Sequence, residues 1–157
     1  MSKRRISARG IIFKDGKLLA QRPKSSKTNI PYDFWCTMGG GMDPGESIVE
    51  CLKREMIEET GIEPVVGRLL YMQQFLADEN DKEVMDFFFE IKNVDDYEHI
   101  DLAQTTHGEL ETGEFGFVDP KSVGLLPVFL QERNIAKDLA GNTPVEILNY
   151  LHESEVN

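Results

Sequence analysis

Apolar and polar positions divide this chain into short extended segments grouped around one strongly helical stretch. Ile6 to Lys14 and Lys17 to Arg22 are apolar runs separated by Asp15-Gly16. That dipeptide between two such runs predicts an antiparallel hairpin with a tight turn. Tyr32 to Thr37 predicts a short aromatic strand, with Trp35 in the core, that delivers the chain to Gly39, Gly40 and Gly41. Val65 to Leu76 predicts a long strand with Gln73 and Gln74 near its middle. Val84 to Ile91, VMDFFFEI, predicts a central strand buried on both faces, in which Asp86 needs a partner to be tolerated. Glu114 to Val118 predicts one more strand.

Helical spacing is clearest between Glu46 and Gly61. Asp43-Pro44-Gly45 is turn chemistry, Ser47 and Glu50 have the spacing of a capping box, and Gly61 suits a left-handed C-terminal position. Residues from Val128 to Ala140 predict a second helix. Thr143-Pro144-Val145-Glu146 predicts a third, over residues 145–153, with an N-cap, an N1 proline and an N3 glutamate. Residues 23–31, PKSSKTNIP, predict a polar loop, and residues 93–113 a long acidic loop. This order of elements predicts one α/β domain over residues 1–157, a mixed sheet between helices.

The first helix carries the candidate chemistry. At about 100° per residue, Glu55, Glu58 and Glu59 share one sector with Ile48, Cys51 and Leu52, while Glu50, Lys53, Arg54 and Thr60 face the other way. Three acids on the protein-facing stripe are expensive. Two carboxylates about 4 Å apart repel by roughly 4 kcal/mol at an effective dielectric near 20. A hard divalent cation with oxygen ligands, Mg²⁺ first and Mn²⁺ next, relieves that repulsion and keeps open positions for a phosphate.

Residues 40–62, GGMDPGESIVECLKREMIEETGI, resemble the Nudix box: Gly, five residues, Glu, seven residues, then Arg-Glu-apolar-any-Glu-Glu-any-Gly-apolar. Gly40, Glu46, Arg54, Glu55, Met56, Glu58, Glu59, Gly61 and Ile62 meet every fixed position. Met38 stands where relatives often have proline before the glycines. The resemblance implies a Nudix-type α/β/α sandwich, MutT-like, and hydrolysis of a pyrophosphate linkage in a nucleoside diphosphate joined to another group. It implies Glu55, Glu58 and Glu59 as metal ligands, with the carbonyl of Gly40 or Gly39 as a further oxygen. It implies Arg54 as the residue that orients a ligand carboxylate, Glu46 as a tie between loop and helix, and Arg22 and the glycines Gly39 to Gly41 as phosphate neighbours. In some relatives the general base comes from a late loop; that arrangement selects Glu109, with Glu111 and Glu114 as alternatives and His107 as a possible phosphate contact.

Composition narrows the partners. A formal charge of −11 argues against long nucleic acid and anionic membrane, but not against a small phosphorylated substrate, because a bound cation inverts the local sign. Two cysteines, Cys36 and Cys51, without zinc spacing read as reduced residues of a cytoplasmic protein. The basic start MSKRRISARG has no apolar run behind it, so neither a secretory leader nor a membrane span is expected. Signals that mark ADP-ribose, dinucleoside polyphosphate and coenzyme A subgroups are absent, which leaves a nucleoside triphosphate or a related nucleotide. Two other readings of the same fold are a nucleotide-sensing module without turnover and an isoprenoid diphosphate isomerase. Aromatic residues of the hairpin, with Tyr150 and Leu151 near the C-terminus, could form a homodimer face.

Overall fold

The computed structural model describes residues 4–77, 82–107 and 111–151. Two mixed sheets and a few helices build an α/β fold, so the single sheet expected from the element order is divided in two. The first sheet runs β10-β6-β7-β1-β5, from β1 (Arg4–Ile11), β5 (Gly39–Gly41), β6 (Val66–Ala77), β7 (Lys82–Ile91) and β10 (Glu146–Tyr150). The second holds β2 (Phe13–Lys14), β3 (Lys17–Pro23), β4 (Trp35–Cys36) and β9 (Leu125–Leu126), with β8 (Thr112–Val118) on the other edge of β3. The hairpin of β2 and β3 turns through Asp15 and Gly16, both at positive φ, as a two-residue turn of that composition requires.

Helix α1 (Ile48–Thr60) begins and ends where its sequence dictates. Ser47 is the N-cap, its side chain accepts from the Glu50 amide, and the Glu50 side chain accepts from the Ser47 amide. Gly61 closes the helix at φ 74°. Cys51, Leu52 and Met56 pack on one face of the first sheet with Ala8, Phe89 and Ile91. The opposite face of that sheet packs Ile11, Tyr71 and Phe88 against Leu18 and Leu125 and against α2 (Phe129–Glu132) and α3 (Ile135–Ala140). Strand β7 therefore feeds both cores, which explains its nearly continuous apolar run.

Four sequence expectations are corrected. The third helix is strand β10, pairing in parallel with β6 from Glu146↔Tyr71 to Tyr150↔Phe75. Its residues alternate half-buried and exposed, and the open edge of β6 offers backbone partners that a short isolated helix would lack. The second helix breaks at Arg133-Asn134, where Asn134 caps α3 by accepting from the Lys137 amide. The aromatic strand contracts to Trp35–Cys36. The long acidic loop contains two 3₁₀ turns, Val94–His99 and Leu102–Gln104, and it buries Tyr97, whose hydroxyl donates to Ile62 O at 3.3 Å.

Candidate active site

Glycines set the first wall of the site. Gly39 has φ 122°, and a Cβ there would lie 2.1 Å from Ala8 O, so a side chain at this position collides with the neighbouring strand. At Gly40 a Cβ would lie 2.4 Å from the Glu55 carboxyl carbon, so the missing side chain is the space the Glu55 carboxylate occupies. Gly41 faces Arg5, whose Nε would be 3.2 Å from an added Cβ. The three glycines together bring a bare strand edge against the C-terminal half of α1.

Arg54 ties the acids of that half-helix. It grips Glu46 in a bidentate pair, Nε to Oε1 at 2.7 Å and Nη2 to Oε2 at 3.0 Å, and donates to Gly41 O at 2.9 Å. Its Nη1 donates to Glu55 Oε1 at 2.8 Å and Glu58 Oε2 at 3.3 Å. Glu46 is held well below the usual carboxylate range, at about 2, chiefly by the hydrogen bonds from Arg54. Burial raises Glu55 against the opposing pull of Arg54. Helical phase turned Arg54 and Thr60 away from the protein. In the structure Arg54 is half-buried because its long stem reaches back over the glycine bend, and Thr60 is buried with its hydroxyl donating to Met56 O. The guanidinium also supplies part of the positive charge that the clustered acids need.

Glu59 sits deeper, 5% exposed. Gln21 Nε2 donates to one of its oxygens and the Gly39 amide to the other, both at 2.7 Å. Burial dominates and pushes its carboxyl up to about 7. Thr112 Oγ1 donates to Gln21 Oε1, which fixes the orientation of that amide. His107 Nδ1 lies 3.2 Å from Glu58 Oε2, and the His107 amide donates to Glu58 O at 3.1 Å, strapping the late loop to α1. Glu111 follows on the same loop and lines the same groove; Glu109 lies outside the described residues.

That groove, about 610 Å³, runs between the two sheets. Its rim carries Glu55, Glu58, Glu59, His107 and Glu111 beside Gly39 to Gly41. Its floor is the face of the first sheet opposite α1, where Arg5 and Arg9 of β1, Asp86 and Phe88 of β7, and Gln73 and Phe75 of β6 all point. Burial works against the Arg9 charge, but the facing Asp86 and the glutamates more than offset it. Arg9 Nη1 donates to Thr37 O at 3.1 Å and Gly39 O at 2.9 Å. Asp86 finds the partners its burial demands: Ser7 Oγ donates to one oxygen and Gln73 Nε2 to the other, at 3.0 Å. Gln73 Oε1 is buried without a hydrogen-bond partner among the described residues, a cost of roughly 1–3 kcal/mol. Burial pushes the thiols of Cys36 and Cys51 up to about 11, which keeps both protonated.

Two expected contacts change. Arg22 is absent from the groove lining; it bonds Tyr32 O at 2.9 Å, Asp33 and Glu114, because the loop after β3 folds back over its guanidinium. Glu114 is thereby drawn to Arg22. Gly39 O and Gly41 O already accept from arginines, and Gly40 pairs with Ala8 in the β1–β5 ladder, its carbonyl also taking the weak Cys51 thiol, at 3.5 Å. Helical spacing singled out none of Ser7, Arg9, Gln21 or Thr112. Period-two reading of β1 and β3 places Ser7, Arg9 and Gln21 on inward faces, the signal that could have found them; Thr112 is the first residue of β8.

Among the described residues, no three His, Cys, Asp or Glu side chains converge as a finished cation cage. The donor set nonetheless suits a hard cation. Glu55 and Glu58 both line the groove and each keep one oxygen that Arg54 does not engage, and the space left by Gly40 holds the Glu55 carboxylate.

The NUDIX domain family matches residues 3–139. A CTP pyrophosphohydrolase of Escherichia coli strain K12 is 45% identical over 65 residues, which are 41% of this chain and 46% of that protein, so the chain spans about half the length of that curated relative. The solved structure of a MutT protein from Methanosarcina mazei Go1 superposes at TM-score 0.62 with 27% identity, covering 82% of this chain and 89% of that one. The E. coli ORF135 protein shares the fold at TM-score 0.66 with 22% identity, covering 91% of this chain and 96% of that one. With a box whose acids, arginine and glycines meet at one groove, and a family match over most of its length, the chain belongs to the Nudix domain family.

Proposed function

We propose that the protein is a Mg²⁺-dependent pyrophosphohydrolase of a nucleoside triphosphate or a related nucleotide, with Mn²⁺ able to substitute. The observation that carries this reading is the convergence of Glu55, Glu58 and Glu59 on one groove whose other end is lined by polar and aromatic side chains. A polyphosphate fits the acidic rim only with a cation between, and a nucleoside fits the remaining volume. The nucleotide activity in the name of the E. coli relative supports the same substrate class.

Glu55 and Glu58 would hold the cation through their free oxygens, and Glu59 still has an acceptor position on each oxygen beyond the bonds from Gln21 and Gly39. A bound cation would neutralise phosphate oxygens and lower the pKa of the attacking water, so that it gives up its proton near neutral pH. The protein's own groups do the rest. Arg54 holds Glu55 and Glu58 at fixed positions, the glycine strand lets the phosphate chain approach the helix, and Arg9 balances the acids from below. The late loop supplies the carboxylate that takes the proton from the attacking water, Glu109 or Glu111. Glu58→Gln tests the core of this scheme. With Mg²⁺ and a panel of nucleoside triphosphates, wild type should release pyrophosphate or phosphate from at least one, and the variant should lose at least about a hundredfold. Unchanged turnover in Glu58→Gln, or none by wild type on the whole panel, would overturn it. Glu109→Gln and Glu111→Gln, compared in the same assay, identify the proton acceptor.

A further inference from the structure

Strand register builds one transverse row across the groove floor. Ser7 of β1 lies beside Asp86 of β7, and Asp86 lies beside Gln73 of β6. All three side chains are at least nine-tenths buried, at 1%, 6% and 1% exposure. The row is bonded in one direction only. Asp86, an acceptor on both oxygens, takes the hydroxyl of Ser7 and the amide nitrogen of Gln73. That second bond decides which way the Gln73 amide faces, because its oxygen turned toward Asp86 would set acceptor against acceptor. Gln73 Oε1 is thus forced to be the free end of the chain, and it is the buried side-chain atom left without a partner among the described residues. Phe34 and Phe75, both half-buried, line the groove nearby and offer aromatic faces to a planar group.

We propose that Ser7, Asp86 and Gln73 form a base-reading row, in which Gln73 Oε1 accepts a hydrogen bond from an amino group on the edge of the substrate's nucleobase. The inference rests on the nucleotide reading above. It names Gln73 as the residue that determines specificity, and it selects bases whose distal edge carries an amino group, cytosine and adenine. Their oxo counterparts, uracil and hypoxanthine, put an oxygen where Gln73 already presents one. A buried acceptor that meets an acceptor loses its hydrogen bond and keeps its desolvation cost, so the discrimination should be at least about tenfold.

Calorimetric titration of the full chain with CMP, UMP, AMP and IMP in Mg²⁺ buffer reads this without requiring turnover. CMP should bind about tenfold or more tightly than UMP, and AMP than IMP. Asp86→Asn is the sharper probe. An asparagine amide can donate to Gln73 Oε1, which frees Gln73 to turn its nitrogen to the groove, so the preference should shrink to near unity or reverse. Gln73→Met removes the acceptor at similar volume and should also bring both ratios near one, with cooperative unfolding retained as the check on folding. Equal affinities of wild type within each pair would overturn the proposal, and would mark the free oxygen as a place for a structural water. So would a wild-type preference that survives in both variants. Hydrolysis of CTP and UTP at equal rates alongside equal affinities would leave the pyrophosphohydrolase standing while removing the base-reading row.

Discussion

Replacing Gly40 with alanine should abolish most activity while leaving a folded protein. Gly40 has an ordinary negative φ, so the backbone accepts alanine. The obstacle is the side chain opposite: the new Cβ would lie 2.4 Å from Glu55 Oε2 and 2.6 Å from Oε1, where a comfortable carbon–oxygen contact is about 3.3 Å. Glu55 must move by about 1 Å or swing out, and it cannot do so and keep its 2.8 Å bond to Arg54 Nη1. A displacement of that size at a reacting centre costs on the order of a hundredfold in rate. Stability should fall by only about 1–2 kcal/mol, since a flexible carboxylate end yields where a packed core would not. Steady-state hydrolysis by Gly40→Ala with Mg²⁺, beside its thermal unfolding midpoint, measures both. Wild-type kcat/KM in the variant would refute the reasoning, because Glu55 would then be free to sit elsewhere without consequence.

Gly39→Ala should do the reverse, losing roughly 2–4 kcal/mol in urea unfolding, because its φ of 122° and the Ala8 carbonyl at 2.1 Å both belong to rigid backbone. Gly41→Ala should be nearly silent in the same experiment, since Arg5 can move its guanidinium aside. Arg54→Lys keeps the charge but loses the fork on Glu46; we expect a loss of roughly 1–2 kcal/mol and a fall in kcat, read by unfolding and by nucleotide hydrolysis. Glu46 predicts an acid-labile tie. Its folded value near 2 lies below the ordinary 4.5, so its contribution is full above about pH 4.5 and disappears as pH falls toward 2. Glu46→Gln should therefore flatten the acid limb of the unfolding midpoint plotted against pH, and an unchanged limb would contradict the assignment.

Local chemistry was legible wherever one segment settles its own shape. Ser47, Glu50 and Gly61 mark the ends of α1, and Asp15-Gly16 marks the hairpin, because capping and turn geometry depend on residues within a few positions of each other. The inward stripe of Glu55, Glu58 and Glu59 follows from helical phase alone. Tertiary structure decided what distant segments do to one another. Residues 146–150 are a strand because β6 has an open edge, a fact that no window around Thr143-Pro144 contains. Arg54 reaches the acids because the glycine strand folds under its stem, and Arg22 leaves the groove because the loop after β3 claims it. The row of Ser7, Asp86 and Gln73 joins residues 79 and 13 positions apart, and only strand register aligns them. Periodicity says which face a residue occupies; pairing in space says which neighbours share it, and here the base-reading proposal rests on those neighbours.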